Sequence, residues 1–218
     1  MTELLAFDLD GTLLETAEDF FLAINTLRER HGINYPEVKF EQVRSRVSEG
    51  AFSMAGYAMN IPLDEKDNVE NFRKELMVIY KECCLENTRP FPGVEDLLNE
   101  LNNQKVSWGI VTNKPFFFAE GIVKANLSEF NPGFLICPDD TGKRKPHPDG
   151  LQLACKLTNS KPENSFYIGD HSIDVIAGKA AGMQTVAVAY GYIPLDERVE
   201  DWNADFVVKS PLEILDLV

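Results

Sequence analysis

Two aspartates lie close together near the start of the chain, directly after a short apolar run. The run covers residues 4–7, and Asp8 and Asp10 follow it in the segment Asp-Leu-Asp-Gly-Thr. A pair of carboxylates on one loop can divide two tasks, one acting as a nucleophile and the other as a proton donor and acceptor. The same residues also fit a strand that ends in an ordinary Asp-Gly turn, so this motif alone leaves both interpretations open.

Two further polar segments could bind an anion. Thr112 and Asn113 follow the apolar run 106–111, and Lys145 lies in the basic segment Lys-Arg-Lys-Pro-His-Pro. A hydroxyl, an amide and an ammonium group all donate hydrogen bonds to oxygen anions. Taken singly, the first pair also fits a helix cap and the basic segment fits a solvated loop.

A second acidic motif follows another apolar run, at residues 166–168. It contains Asp170 and Asp174 in the segment Gly-Asp-His-Ser-Ile-Asp. Carboxylate oxygens are the ligands that Mg²⁺ prefers. The alternative is a turn with an acidic residue in the first turn of a helix, where the helix dipole favours it.

The elements that must position these motifs alternate along the chain. Short apolar runs bounded by turn residues predict buried strands, and apolar residues at helical spacing predict helices between them. Strands are predicted at 4–7, 106–111, 134–137, 166–168, 185–189 and 206–208, and helices at 94–101, 116–127, 150–157, 173–181 and 212–217. This alternation predicts an α/β fold with a doubly wound parallel sheet, in which ligands bind at the carboxyl ends of the strands.

One region interrupts the alternation. Residues 16–88 contain no convincing strand and three helical stretches, around residues 17–27, 43–59 and 69–84. We therefore predict an all-helical domain at 16–88, inserted into an α/β core formed by 1–15 and 89–218.

Composition limits the classes of partner. The chain has 218 residues, with 21 Lys and Arg against 35 Asp and Glu, a net charge of −14. Such a surface repels polyanions, so we expect no nucleic-acid partner and no membrane partner. No segment reaches the roughly 20 apolar residues of a spanning helix, and the first residues do not fit a signal peptide. The four cysteines show no metal-site spacing, so we expect reduced thiols in a cytoplasmic protein.

The segment 7–13, Phe-Asp-Leu-Asp-Gly-Thr-Leu, resembles the signature of the haloacid dehalogenase-like phosphatases. The Thr-Asn, Lys-Pro and Gly-Asp motifs follow in that family's order, each after a predicted strand. The resemblance implies a Rossmann-like core with a helical cap inserted after the first motif. It also implies that phosphomonoesters are hydrolysed through an aspartyl-phosphate, with the substrate a small phosphorylated metabolite.

The resemblance implies roles for individual residues. Asp8 would be the nucleophile and Asp10 the acid and base, and Asp174 would support the site. The residues implied to bind the substrate phosphate are Thr112, Asn113 and Lys145. Mg²⁺ is the implied cofactor, held by Asp8, by the backbone carbonyl of Asp10 and by Asp170.

In the helical insertion, the segment 44–50 is the predicted specificity loop. Arg44 or Arg46 would meet a substrate carboxylate, and Gly50 would permit a close backbone approach. The arginines also fit a solvated helix face.

Within the family, the chain looks like the phosphoglycolate phosphatase group. Other segments, including 47–51 and 137–140, resemble a sister branch that acts on N-acetylmuramic acid 6-phosphate. A phosphosugar mutase keeps both motif aspartates and remains open as well. A non-catalytic phosphate-binding regulator would lack a nucleophile or a metal aspartate, whereas both are present here. The sequence does not indicate an oligomeric state.

Overall fold

The structure is a computed structural model that describes residues 2–218. The chain divides into two compact units. One contains the described residues up to Glu15 together with Arg89–Val218, and the other is Thr16–Thr88.

The first unit is built on a parallel sheet of six strands in the order β5-β4-β1-β6-β7-β8. The strands of the chain are β1 (Leu4–Phe7), β2 (Leu14–Glu15), β3 (Arg89–Pro90), β4 (Ser107–Val111), β5 (Leu135–Ile136), β6 (Ser165–Gly169), β7 (Gln184–Val188) and β8 (Phe206–Val208). All four residues of β1 are buried, as expected for a strand between two neighbours that is covered on both faces. The predicted α/β fold with a doubly wound parallel sheet is confirmed.

The second unit is helical. Its helices are α1 (Ala17–Arg30), α2 (Phe40–Arg44), α3 (Ala51–Met59) and α4 (Lys66–Cys83). The single helical stretch predicted at 43–59 is wrong, because a 3₁₀ turn at Val47–Glu49 and then Gly50 separate α2 from α3. Gly50 has φ +92°, a conformation that side chains of L-residues rarely adopt.

Among the described residues, five α-helices accompany the sheet: α5 (Val94–Asn103), α6 (Phe116–Asn126), α7 (Pro138–Thr141), α8 (Asp149–Thr158) and α9 (Ser172–Ala181). Buried residues of α8 and α9, such as Leu151 and Ala177, form one hydrophobic cluster with Leu4 and Ala6 of β1. Side chains alternate along a strand, so Phe7 points to the opposite face, where its ring meets Trp108 edge-on at 6.2 Å. The helix predicted at 212–217 is a 3₁₀ helix, Pro211–Leu217.

A small antiparallel ribbon was not predicted from the sequence. Leu14 pairs with Pro90 and Glu15 with Arg89. Two-residue strands give too short a pattern to be recognised by alternation. The ribbon lies at the two points where the chain leaves the α/β unit and returns to it.

All four cysteines are free thiols, and three of them are buried. Burial raises the pKa of Cys83 and Cys137 to about 12, which leaves these thiols protonated and unreactive at neutral pH. Within residues 2–218, the structure contains no helix with the length and apolar character needed to span a membrane.

Candidate active site

The predicted motifs meet at one edge of the sheet. Asp8 follows β1, Thr112 follows β4 and Asp170 follows β6. The three strands are direct neighbours in the order β4-β1-β6, and parallel strands end at the same edge. These three residues are far apart in the sequence, and they lie close together because their strands are neighbours in the sheet.

Asp8 is held at the centre of this edge. Its backbone N–H donates to the Ile168 carbonyl at 2.8 Å, which continues the β1–β6 ladder by one residue. Its Oδ1 lies 2.8 Å from Nζ of Lys145, and both side chains are almost fully buried. Burial raises the pKa of Asp8 to about 6, although the Lys145 ammonium opposes this shift.

Lys145 has three close partners. Its Nζ lies 2.8 Å from Asp8 Oδ1, from Asp174 Oδ1 and from the hydroxyl of Tyr167. Burial by itself would lower the pKa of this lysine, but the carboxylates of Asp174 and Asp8 outweigh burial and raise it. An ammonium group has three N–H donors, so these contacts fix its position beside Asp8.

Tyr167 is a site residue that sequence reasoning did not single out. It lies inside β6, is 1% exposed, and its hydroxyl is 2.8 Å from the carbonyl oxygen of Val111. The hydroxyl thus links Lys145 to the end of β4. A tyrosine among the apolar residues of a buried strand was the available signal, because a buried hydroxyl needs a polar partner.

Three carboxylates converge around this lysine. One oxygen each of Asp8, Asp170 and Asp174 lies within 4.8 Å of the others. Burial raises the pKa of Asp170 well above its usual range, and the neighbouring charges of Asp8 and Asp174 raise it further. Fully ionised, the three carboxylates would carry more negative charge than Lys145 balances, and their all-oxygen donors are those of a hard divalent cation.

Close backbone packing positions Asp170. Its Oδ2 accepts a hydrogen bond from the backbone N–H of Tyr192 at 2.8 Å. A Cβ atom on Gly11 would lie 2.0 Å from the same oxygen, and one on Gly191 would lie 2.3 Å from the Asp170 Cβ. Both positions therefore require glycine for steric reasons, and Gly11 also has φ +80°.

Asp10 contacts a different lysine. Nζ of Lys114 lies 2.8 Å from Asp10 Oδ1 and 3.2 Å from Oδ2. The backbone N–H of Lys114 donates to Oγ1 of Thr112 at 3.1 Å, so the hydroxyl of Thr112 is oriented by the same turn. Sequence reasoning did not pair Lys114 with Asp10.

A family model described as haloacid dehalogenase-like hydrolase matches residues 5–188 of this chain. The chain belongs to the haloacid dehalogenase-like hydrolase family. It is 39% identical over 212 residues to an N-acetylmuramic acid 6-phosphate phosphatase of Pseudomonas aeruginosa, covering 97% of this chain and 92% of the relative. It is 34% identical over 208 residues to a phosphoglycolate phosphatase of Xanthomonas campestris pv. campestris, covering 95% of this chain and 92% of the relative.

A solved structure from Lactobacillus delbrueckii subsp. bulgaricus, named as a candidate phosphoglycolate phosphatase, has the same fold. Its TM-score is 0.88, with 22% identity, 100% of this chain covered and 98% of that chain. The predicted resemblance to the haloacid dehalogenase-like hydrolases is thus confirmed by sequence and by fold.

The side chain of Asn113 has a different partner from the one expected in this hydrolase. Its Oδ1 accepts from the backbone N–H of Lys145 at 2.7 Å, and its Nδ2 donates to the Lys145 carbonyl at 3.1 Å. The amide group therefore holds the lysine loop in place. A phosphate contact of Asn113, through its side chain or its backbone N–H, stays a prediction.

His171 is half-buried. Its Nδ1 accepts from the Ile173 N–H at 3.3 Å, which makes it the N-cap of α9. The backbone N–H of His171 donates to Asp174 Oδ2 at 3.1 Å. His171 therefore helps to orient Asp174.

The predicted specificity residues Arg44, Arg46 and Gly50 lie in the helical unit of the hydrolase. Arg44 ends α2 and is half-buried. Arg46 donates to the carbonyl of Gln42 at 2.8 Å, and its guanidinium lies 4.6 Å from the ring centre of Tyr57. Arg46 thus packs on its own unit instead of extending into solvent.

Proposed function

We propose that this hydrolase is a metal-dependent phosphatase that cleaves small phosphomonoesters through a phosphoryl group carried on Asp8. The observation that carries the proposal is the position of Asp8. It lies at a strand end, buried, 2.8 Å from the Lys145 ammonium and within a cluster of three carboxylates. A buried carboxylate between a cation and a metal-ligand set suits attack on an electrophile that bears negative charge.

The donor set fits Mg²⁺. Asp8 and Asp170 would hold the ion with the backbone carbonyl of Asp10, and Asp174 supports the cluster through Lys145. A bound Mg²⁺ would reduce the repulsion between the attacking carboxylate and the phosphate dianion. The raised pKa values of Asp8 and Asp170 agree with a site that needs a cation to keep both groups ionised.

In the first half of the reaction, each residue of the site has its own task. An oxygen of Asp8 attacks phosphorus, the ester P–O bond breaks, and its electron pair stays on the leaving oxygen. Asp10 gives its proton to that oxygen, so the alcohol leaves neutral. The Lys145 ammonium balances charge on the phosphoryl oxygens, and the Thr112 hydroxyl donates a hydrogen bond to one of them.

In the second half, Asp10 acts in the opposite direction. Its carboxylate takes a proton from water, the water oxygen attacks the phosphorus on Asp8, and the Asp8–phosphorus bond breaks. Inorganic phosphate and the ionised Asp8 result. The same residue serves as acid and then as base, as microscopic reversibility requires.

Two substrates are in question. The sequence motifs resemble those of both groups, and the 39% identity to the N-acetylmuramic acid 6-phosphate phosphatase exceeds the 34% identity to the phosphoglycolate phosphatase. The higher identity supports the muramic sugar phosphate as the second candidate. Both compounds carry a carboxylate besides the phosphate, so size and not charge distinguishes them.

We assign substrate selection to the helical unit, acting as a cap domain. Arg44 and Arg46 are its candidate carboxylate ligands, and Gly50 shapes the segment between α2 and α3. A cap over the site would exclude water and recognise the leaving group.

The expected ligand is a small anion, and the expected location of the protein is the cytoplasm.

The experiment is a steady-state assay of purified protein against a panel of phosphorylated metabolites, with Mg²⁺ and with EDTA. We expect hydrolysis that EDTA suppresses and that Asp8→Asn abolishes. The kcat/KM values for 2-phosphoglycolate and for N-acetylmuramic acid 6-phosphate rank the two candidates. Near-normal turnover by Asp8→Asn, or no hydrolysis of any phosphomonoester with Mg²⁺, would overturn the proposal.

A further inference from the structure

The buried lysine that contacts Asp10 has no assigned task in the proposed reaction. The side chain of Lys114 is 5% exposed and that of Asp10 is 15% exposed, so water competes little for their contact. The ammonium lies within 3.2 Å of both carboxylate oxygens. A charged hydrogen bond that is shielded in this way restricts the rotation of the carboxylate.

The two buried lysines of the site are divided between the two aspartates. Lys145 lies 2.8 Å from Asp8, and Lys114 lies 2.8 Å from Asp10. The lysine that contacts the nucleophile is thus a different residue from the one that contacts the proton donor. This division argues against Lys114 serving only as a second phosphate-binding cation.

Backbone contacts fix both ends of the Lys114–Asp10 pair. The N–H of Lys114 donates to Thr112 Oγ1 at 3.1 Å, immediately after β4. On the other side, the Gly11 N–H donates to the Leu14 carbonyl at 2.9 Å, which closes the turn that carries Asp10. With both backbones held, the ion pair sets the direction in which the Asp10 carboxyl group points.

We propose that Lys114 is a positioning residue that holds the Asp10 carboxyl group in the orientation from which it protonates the leaving oxygen. This inference rests on the proposed function. In the step concerned, the Asp10 proton moves to the ester oxygen as the P–O bond breaks and Asp8 bonds to phosphorus. The carboxylate that Asp10 then becomes faces the Lys114 ammonium through both of its oxygens.

The test uses two substrates of similar shape that differ in their need for an acid. Phenyl phosphate releases phenol, a poor leaving group, whereas 4-nitrophenyl phosphate releases a good one. We expect Lys114→Met to lower kcat/KM for phenyl phosphate at least ~10-fold more than for 4-nitrophenyl phosphate, within the roughly 10²- to 10⁴-fold contribution of general acid catalysis. The ratio kcat/KM is used because it reports the step that phosphorylates Asp8.

Four further variants control the measurement. Asp10→Asn should show the same dependence on the leaving group, and adding Lys114→Met to it should change kcat/KM little. Lys114→Arg, which keeps a two-point contact with a carboxylate, should restore much of the phenyl phosphate activity. Lys143→Met removes an exposed lysine of the nearby basic segment and should leave both substrates unaffected.

Equal losses on both substrates would overturn the inference, because a lysine that binds the phosphate acts on both alike. Additive effects of Lys114→Met and Asp10→Asn would also overturn it. If Lys114→Met fails to fold by circular dichroism, Lys114→Gln is subject to the same comparison. Hydrolysis of neither ester by the wild-type protein would contradict the proposed function. Hydrolysis of both esters, with only the Lys114 comparison failing, would contradict this inference alone.

Discussion

Gly11→Ala is the substitution that tests the geometry of the metal ligands most sharply. The new Cβ would lie 2.0 Å from Asp170 Oδ2, whereas ordinary van der Waals contact begins at 3.4 Å. The carboxylate must therefore move by about 1 Å or more, or the loop that carries Asp8 and Asp10 must move instead, because Cβ atoms essentially never lie within 3.0 Å of such a neighbour. Misplacement by about 1 Å can cost about 100-fold in rate.

We expect Gly11→Ala to lower kcat about 100-fold at saturating Mg²⁺. We also expect half-maximal activity to require at least ~10-fold more Mg²⁺, a loss typical of a disturbed metal site. The assay is phosphate release as a function of Mg²⁺ concentration.

Gly182→Ala is the matched control for backbone strain. Gly182 has the same φ of +80°, but a Cβ atom there would lie 3.6 Å from Pro162, an ordinary van der Waals distance. Both variants therefore carry the left-handed strain of about 1–2 kcal/mol, and only Gly11→Ala adds the collision. Wild-type Mg²⁺ dependence in Gly11→Ala, or equal losses in the two variants, would refute the reasoning.

Three other predictions follow from contacts within each unit. Tyr167→Phe leaves a Lys145 N–H without its hydroxyl partner, so it should lower the free energy of unfolding by about 1–3 kcal/mol in a urea titration. The control Tyr35→Phe, at an 88% exposed residue, should cause no measurable change. Because burial raises the pKa of Asp8 to about 6, the metal-free protein should lose stability as the pH rises from about 4 to about 6. Added Mg²⁺, which competes with that proton, should raise the melting temperature more above pH 6 than near pH 4. Arg46→Met should raise KM only for phosphomonoesters that carry a carboxylate.

Each of these has an outcome that contradicts it. An unchanged urea midpoint for Tyr167→Phe would show that the Tyr167 hydroxyl does not contribute to the stability of the protein. A Mg²⁺-induced shift that does not depend on pH would show that protons and metal do not compete at Asp8. A lower melting temperature of Arg46→Met without any substrate discrimination would leave this arginine with its packing role against Tyr57.

The catalytic edge of the sheet could be predicted from the sequence because local patterns determine it. Apolar runs such as 4–7 and 166–168 end where Asp8 and Asp170 begin, and the parallel arrangement then brings those ends together. The convergence of Asp8, Lys145 and Asp170 needed only these runs and the family's motif order.

The pairing within the site could not be predicted in the same way. The loops that carry Asp10, Lys114 and Lys145 are 30 or more residues apart in the sequence. Which of the two lysines contacts Asp10 depends on the directions of their side chains. The sequence pattern places Tyr167 in an apolar strand, and it cannot distinguish a tyrosine that only packs from one that contacts a lysine. The break at Gly50 was missed because the apolar spacing continues through it while the backbone turns to φ +92°.

The most direct test of the central claim is to locate the phosphoryl group on the protein. Asp10→Asn lacks the base for the second half of the reaction, and 4-nitrophenyl phosphate does not need its acid in the first half. Mixing the two with Mg²⁺, quenching in acid and mapping peptides by mass spectrometry should find a phosphoryl group on Asp8. Its appearance on another residue, or release of phosphate by Asp8→Asn at the wild-type rate, would contradict the account.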